Sequence, residues 1–488
     1  MTLLTRRGFL AAGVAASAMV QFPRIGMAEP PAIGLRAASR TLDIDGRAAS
    51  VWGLAGPSGQ GLILDPGTRF RVDLTNDLPE PTIIHWHGQI PPNAQDGVPD
   101  MPMSKLKPGE TRSYDYAAIP GTYWMHSHIP MQEMRLLAAP LIVRSASDIA
   151  ADRQEVVMFL HDFAFKSPAE VMEEIAGGHA PSGHEGMDHG AMPMKQPMAG
   201  MDHAGMSGHD MSGMATMQMD LNDYDWDAYL TNDRTLSDPE VIRVERDGRV
   251  LLRVVNAAAA TVFWIDTGGV QARLVAVDGQ GIQPLTGTRF GIAMAQRLDL
   301  EFELPGTGSW PILAIREGAR ERTGLILATA GAKVPKLSPL ADQNAAAFDT
   351  DMAQEMRLIA SDPLPAREVQ TSRALMLGGT MQPYLWTIDD KVWGEHVPVT
   401  ARSGERVEIM FHNMSMMGHP MHLHGHTFQV VEVNGRRFSG ARRDTVYVPP
   451  MAMVTVALDA GEAARWMLHC HHMPHLETGM MTEFAITA

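Results

Sequence analysis

Four short stretches of the 488-residue chain place histidines two positions apart: His85-Trp86-His87, His126-Ser127-His128, His422-Leu423-His424 and His469-Cys470-His471. On a β-strand, side chains at i and i+2 leave the same face, so each pair presents two imidazoles side by side. One such pair arises by chance on a surface strand. Four of them, two toward each end of the chain, point to a single eight-histidine cluster formed where the two ends meet. Neutral imidazoles cannot be buried together without partners, because each unsatisfied donor or acceptor costs about 1–3 kcal/mol. Metal coordination satisfies the acceptors, and imidazole suits copper, zinc, iron and nickel.

Cys470 is the only cysteine. No internal disulfide is possible, and cysteine-rich zinc sites and four-cysteine iron–sulfur clusters are excluded. Lying between two histidines of one strand face, Cys470 points to the opposite face. His475 and Met480 follow in what reads as a loop that can fold back to meet it, and His419 can come from a neighbouring strand. Two histidines, one thiolate and a weak axial methionine form a blue-copper electron-transfer set. The neighbours of Cys470 then join it to the cluster by a short covalent path.

The elements that must position these groups read as strands. Residues 69–74 and 405–411 alternate apolar and polar, as half-buried strands do, and 249–255 form a more continuous apolar run suited to burial on both faces. Thirty-three prolines and 45 glycines punctuate such segments. No run of amphipathic helices separates them, which disfavours a parallel α/β sheet and leaves an all-β, sandwich-like reading. Strand-rich blocks fall at 31–145, 152–330 and 349–488, the last two joined by a linker at 333–348. The second carries an insert at 166–219.

These motifs resemble the signature of the multicopper oxidases, the family of laccases and of periplasmic cuprous oxidases of copper resistance. Ten histidines, one cysteine and one methionine fall at the family's spacing. The resemblance implies three cupredoxin-like Greek-key β-sandwich domains with metal in the first and third. It also implies four copper ions. His419, Cys470, His475 and axial Met480 would hold the type 1 ion, His85 and His422 the type 2 ion, and His87, His126, His128, His424, His469 and His471 the type 3 pair. The implied reaction couples one-electron oxidation of a donor at type 1 copper to four-electron reduction of dioxygen to water at a trinuclear cluster. Asp96 resembles the family's acid in the water channel, its other reading being a turn aspartate before Gly97. Glu477 is a second candidate for proton supply, one step past Leu476, where enteric copper-efflux oxidases carry an acid.

The insert bears on the electron donor. Between Met172 and Met219 it holds eleven methionines, interleaved with His179, His184, His189, His203 and His209. Thioethers favour Cu(I) and imidazoles also take Cu(II), so this composition reads as a device for capturing further, labile copper. No period in it would bury one face, and disorder is the expectation. It resembles the methionine-rich segments of periplasmic copper-resistance oxidases, which implies Cu(I) as donor. Met414, Met416, Met417, Met473 and Met481 flank the type 1 motifs and form a candidate Cu(I) docking patch. The alternatives are a laccase-like oxidase of phenols and aromatic amines, and a copper-buffering protein without activity. His161 is expected to order a loop, His396 and His412 to be structural, and His426 and His472 to support ligands.

At the N-terminus, Arg6-Arg7 precedes a small apolar run and the small-residue site Gly26-Met27-Ala28. This order is that of a twin-arginine signal peptide spanning residues 1–28, which implies the twin-arginine export machinery as partner and a periplasmic destination. Its removal takes away three arginines and no acids, deepening a formal net charge of −16. Such an acidic surface argues against nucleic acid as a partner and is compatible with drawing in cations. No stretch of eighteen apolar residues marks a membrane span.

Overall fold

The structure, a computed structural model, describes residues 31–178 and 221–488. The expected signal at 1–28 and the greater part of the insert lie outside the described residues. Among the described residues, strands pair into six sheets. In the first pair, Ile33–Ile44 runs antiparallel to Arg47–Gly56 and parallel to Phe70–Asn76, which pairs with Thr111–Tyr116. The companion sheet is formed by Leu62–Leu64, Ala138–Val143, Gly121–Ser127 and Ile84–His85. A second pair is built around Arg249–Asn256 and Ser309–Arg316, and a third around Arg406–Asn413 and Arg465–Cys470. Ile33 to Ala488 form one compact unit.

The side-chain pattern explains the layers. Phe70, Val72 and Leu74 are buried while Arg71, Asp73 and Thr75 between them are partly exposed, the signature of a strand with one wet face. Arg249–Asn256 is buried from Val250 onward because it is hydrogen-bonded on both edges, to Gln154–Phe163 and Arg297–Glu303, and covered on both faces. The linker is largely exposed but is pinned at Ala341, Ala345 and Phe348. Phe348 meets Trp264 edge-on and Tyr447 at 5.2 Å, wedged between a strand of the second block and one of the third.

One expectation needs correction. The start of the insert is a helix, Pro168–Ala176, with a capping box between Ser167 and Glu170 and with Val171 and Ile175 buried. A capped start and an i, i+4 apolar pair were enough to order it, despite the polar composition that follows. No helix among the described residues is long and apolar enough to cross a membrane.

The wedge gives a pH-dependent prediction. Glu317 is buried; desolvation, outweighing the Phe348 amide that donates to its Oε2 at 2.8 Å and the nearby Arg316, pushes its carboxyl up to about 8. The folded state therefore holds a proton that an unfolded chain releases at about pH 4.3. The group's contribution to stability is complete below that pH and is lost as pH rises from about 4.3 to 8. Glu317→Gln keeps the shape without the titration, so its Tm relative to the parent should rise between pH 5 and 8. A Tm difference that stays flat over that range would rule this out.

Candidate metal centre

Strand register brings the histidines together. His85 faces His126 between Ile84–His85 and Gly121–Ser127, and His422 faces His469 between His419–Leu423 and Arg465–Cys470. The two ends of the chain then meet. The rings of His85 and His424 lie 3.8 Å apart, as do those of His87 and His422. All eight are buried.

The outer ring nitrogens decide what the inner ones can do. His85 Nδ1 donates to Asp96 O at 2.7 Å, His126 Nδ1 to Ser127 O at 3.0 Å, His422 Nδ1 to Asp444 O at 2.9 Å, and His469 Nδ1 to Cys470 O at 2.9 Å. His424 Nδ1 donates to the Asp96 carboxylate at 2.8 Å. A carbonyl or carboxylate only accepts, so the proton of each neutral ring sits outside and Nε2 turns a bare lone pair inward. Burial, then neighbouring imidazoles, hold His128, His424 and His471 well below the usual imidazole range, and burial does the same to His126 and His469.

Those lone pairs converge, and their shortest approaches fall into groups. His128, His424 and His469 meet through Nε2 at 3.1–3.4 Å. His126 Nε2 lies 3.4 Å from both His87 Nδ1 and His471 Nε2. His85 Nε2 and His422 Nε2 lie 3.5 Å apart. Lone pairs aimed at one another repel unless a cation lies among them, and these residues form several groups able to hold a metal ion.

His87 is reversed, with Nε2 outward and Nδ1 inward. Its Nε2 donates to Asp444 Oδ1 at 3.1 Å. Asp444 is clamped by Arg297, whose Nη1 donates to Oδ1 at 2.8 Å. Against the upward push of burial, Arg297 and the hydrogen bonds from His422 and His87 hold the Asp444 carboxyl well below the carboxylate range. Gly88 makes room for this clamp: at φ +86 a Cβ there would lie 2.5 Å from Arg297 and 2.8 Å from Asp444. On another side, the buried Glu133 carboxylate lies 2.6 Å from His126 Nδ1 and 3.9 Å from His471 Nδ1, with no hydrogen bond of its own.

A second centre lies across the strand. Cys470 Sγ is 3.7 Å from His419 Nδ1 and 3.6 Å from His475 Nδ1, and those nitrogens are 3.2 Å apart. His419 Nε2 is tied to Ser415 Oγ at 2.8 Å, and the His472 amide donates to Sγ at 3.5 Å. Met480 is fully buried, its carbonyl accepting from the Cys470 amide at 3.1 Å. His475 is stacked between Trp386 at 4.0 Å and His472 at 3.8 Å. Buried Asp223 places Oδ2 3.5 Å from the Nε2 atoms of both His475 and His472, and Tyr384 donates to it. Burial pushes the Cys470 thiol up, so a bound cation is what would make it a thiolate.

Asp96 lies at the cluster, its carboxylate against His424. Gly97 allows it: at φ +88 a Cβ there would lie 1.9 Å from Ile84 O. Glu477 does not arrive. It is exposed at the end of the short helix Met473–Glu477, while Leu476 is buried. Of the proposed methionine patch, Met414 is 52% exposed and Met416 and Met481 are partly exposed; Met417 and Met473 are buried packing residues. His161 lies inside the strand Gln154–Phe163, not in a loop. His426 donates from Nδ1 to His424 O at 2.9 Å, and His396 stacks on Trp393. Asp223, Glu133, Asp444 and Arg297 went unnoticed in the sequence.

Comparison with known proteins agrees with this geometry. Sequence models of the family described as multicopper oxidase match residues 37–148, 166–332 and 367–488. Multicopper oxidase MmcO of Mycobacterium tuberculosis is 29% identical over 421 residues, covering 85% of this chain and 79% of its own. Copper resistance protein A of Escherichia coli is 24% identical, covering 89% and 88%. The fold matches that of Fet3p, a multicopper oxidase that functions in iron import, with a TM-score of 0.73 at 17% identity, over 93% of this chain and 90% of that one.

The three sandwiches are thus cupredoxin-like, and the chain belongs to the multicopper oxidase family, enzymes that are oxidoreductases. Copper is the cofactor this membership implies, and the donors fit it. They are imidazoles, one thiol and one thioether, with facing lone pairs that a cation reconciles.

Proposed function

We propose that this protein oxidises Cu(I) in copper tolerance and passes the electrons to dioxygen. The sorting of inward nitrogens into groups of two, three and three, beside a separate imidazole–thiol set, supports the passage of electrons from a donor to dioxygen. On it, His419, Cys470, His475 and Met480 hold type 1 copper, and His85 and His422 hold type 2 copper. His87, His126 and His471 hold one ion of the type 3 pair, and His128, His424 and His469 the other. Bound copper supplies one-electron oxidation of the donor at the first site and four-electron reduction of dioxygen to two waters at the second.

The chain's own residues position and feed that chemistry. The neighbours of Cys470 enter different three-histidine groups, so its backbone leads directly to both. Asp96 at His424 and Glu133 at His126 are the acids placed to relay protons from opposite sides. Exposed Met414 precedes Ser415, the partner of His419 Nε2, and offers a soft sulfur at the rim of the first site. The relatives named copper resistance protein A support Cu(I) as donor. The Arg6-Arg7 leader would deliver the folded protein to the periplasm.

A second reading is oxidation of phenols or aromatic amines. A relative named Laccase-2, from Botryotinia fuckeliana, is 23% identical. Deleting residues 179–219 and leaving the packed helix Pro168–Ala176 intact distinguishes the two. Cu(I) turnover should drop on the order of tenfold or more as a tethered local supply is lost, with phenol turnover spared. Equal Cu(I) turnover by both forms would remove the segment from donor delivery and weaken the Cu(I) reading.

A further inference from the structure

A cleft of about 450 Å³ lies between the first two domains, outside the metal centre. Its walls are mainly apolar, with Leu62, Ile63 and Ile142 on one side and Val157 and Phe159 on the other. That size and lining suit a small organic ligand. Most polar groups around it are already engaged. Arg40 pairs with Asp233 and donates from Nε to Trp52 O at 3.0 Å. Asn232 donates to Val157 O and Glu240 and accepts from the Phe159 amide.

His161 is the exception. It lines the cleft, is 2% exposed, and its Nε2 has no hydrogen-bond partner. An orphaned buried nitrogen costs about 1–3 kcal/mol, and a ligand hydroxyl, which both donates and accepts, relieves that whichever tautomer is present. Phe159 meets the His161 ring edge-on at 5.0 Å and supplies an aromatic wall. The charges at the rim, Arg40 against Asp233 and Glu240, disfavour an anion, and the apolar interior disfavours any charged body.

We propose that this cleft binds a small uncharged aromatic alcohol, its ring against Phe159 and its hydroxyl on His161 Nε2. Phe159 also packs near Trp124, which stacks on His126 at 4.3 Å. Two aromatic rings thus separate the occupant from the eight-histidine cluster.

The test uses 4-fluorobenzyl alcohol, whose hydroxyl is not on the ring and which is therefore not a phenolic donor, titrated into the copper-loaded full chain by fluorine NMR. Saturable binding is expected, weakened about tenfold or more in His161→Phe. Ile63→Trp, at a mouth position 56% exposed, should block binding without disturbing the core, which keeps the test decisive if His161→Phe fails to fold. 4-Fluorotoluene, of like shape without the hydroxyl, should bind the parent protein up to about tenfold more weakly, the worth of one neutral hydrogen bond. Absence of saturable binding, parent-like affinity in Ile63→Trp, or equal affinity for the two probes would overturn the proposal.

Discussion

Replacing Cys470 with serine should erase the blue absorption of the copper-loaded protein and reduce oxidation of every donor to the uncatalysed rate, while leaving the eight-histidine site able to bind metal. The side chain is fully buried and close in size to serine, so the fold should survive with little change in Tm. What disappears is the soft thiolate that defines the site, since a hydroxyl in the same place is a poor ligand for copper. It also removes the entry to both backbone routes, through His469 to one group of three histidines and through His471 to the other. Visible spectroscopy with copper counting checks this. Retention of the blue band, or turnover of phenols at more than a trace of the parental rate, would be incompatible with Cys470 as the point of electron entry.

Asp444→Asn should have the second largest effect, for two separable reasons. The buried Arg297 guanidinium loses its main counter-charge, and breaking a buried pair costs about 3–5 kcal/mol. His87 also loses the carboxylate that fixes its reversed orientation, and such outer partners are worth about 10–100-fold in metal affinity or activity. The double variant Arg297→Gln/Asp444→Asn separates the two. Removing the unpaired charge should recover much of the lost Tm, but copper affinity at the His87, His126 and His471 group should remain low. Full recovery of copper affinity in the double variant would show that Asp444 is structural and does not orient His87.

What could be read from the sequence followed from periodicity. A strand repeats every two residues, so four histidine pairs betrayed a shared site, and one cysteine between histidines betrayed a second. Acids and arginines carry no such signature. Asp444 follows two arginines in a stretch that reads as surface, Glu133 lies in a short helix seven residues beyond His126, and Asp223 comes directly after a low-complexity tract. Arg297 comes from a domain for which no ligands were expected, and only the packing of three sandwiches brings it to His87. The helix Pro168–Ala176 could have been found, since Ser167 and Glu170 form a capping box, but the methionines and histidines beyond it masked the signal. Glu477 follows His475 closely in sequence yet lies exposed at a helix end, whereas Glu133, far away in sequence, is packed beside His126.

Anomalous scattering from crystals of the copper-loaded protein, recorded on either side of the copper edge, tests the central claim most directly. The account predicts one peak among His419, Cys470, His475 and Met480. It predicts three more within the eight histidines, one against His85 and His422 and one against each group of three. A single peak in the histidine cluster, or none beside Cys470, would contradict it.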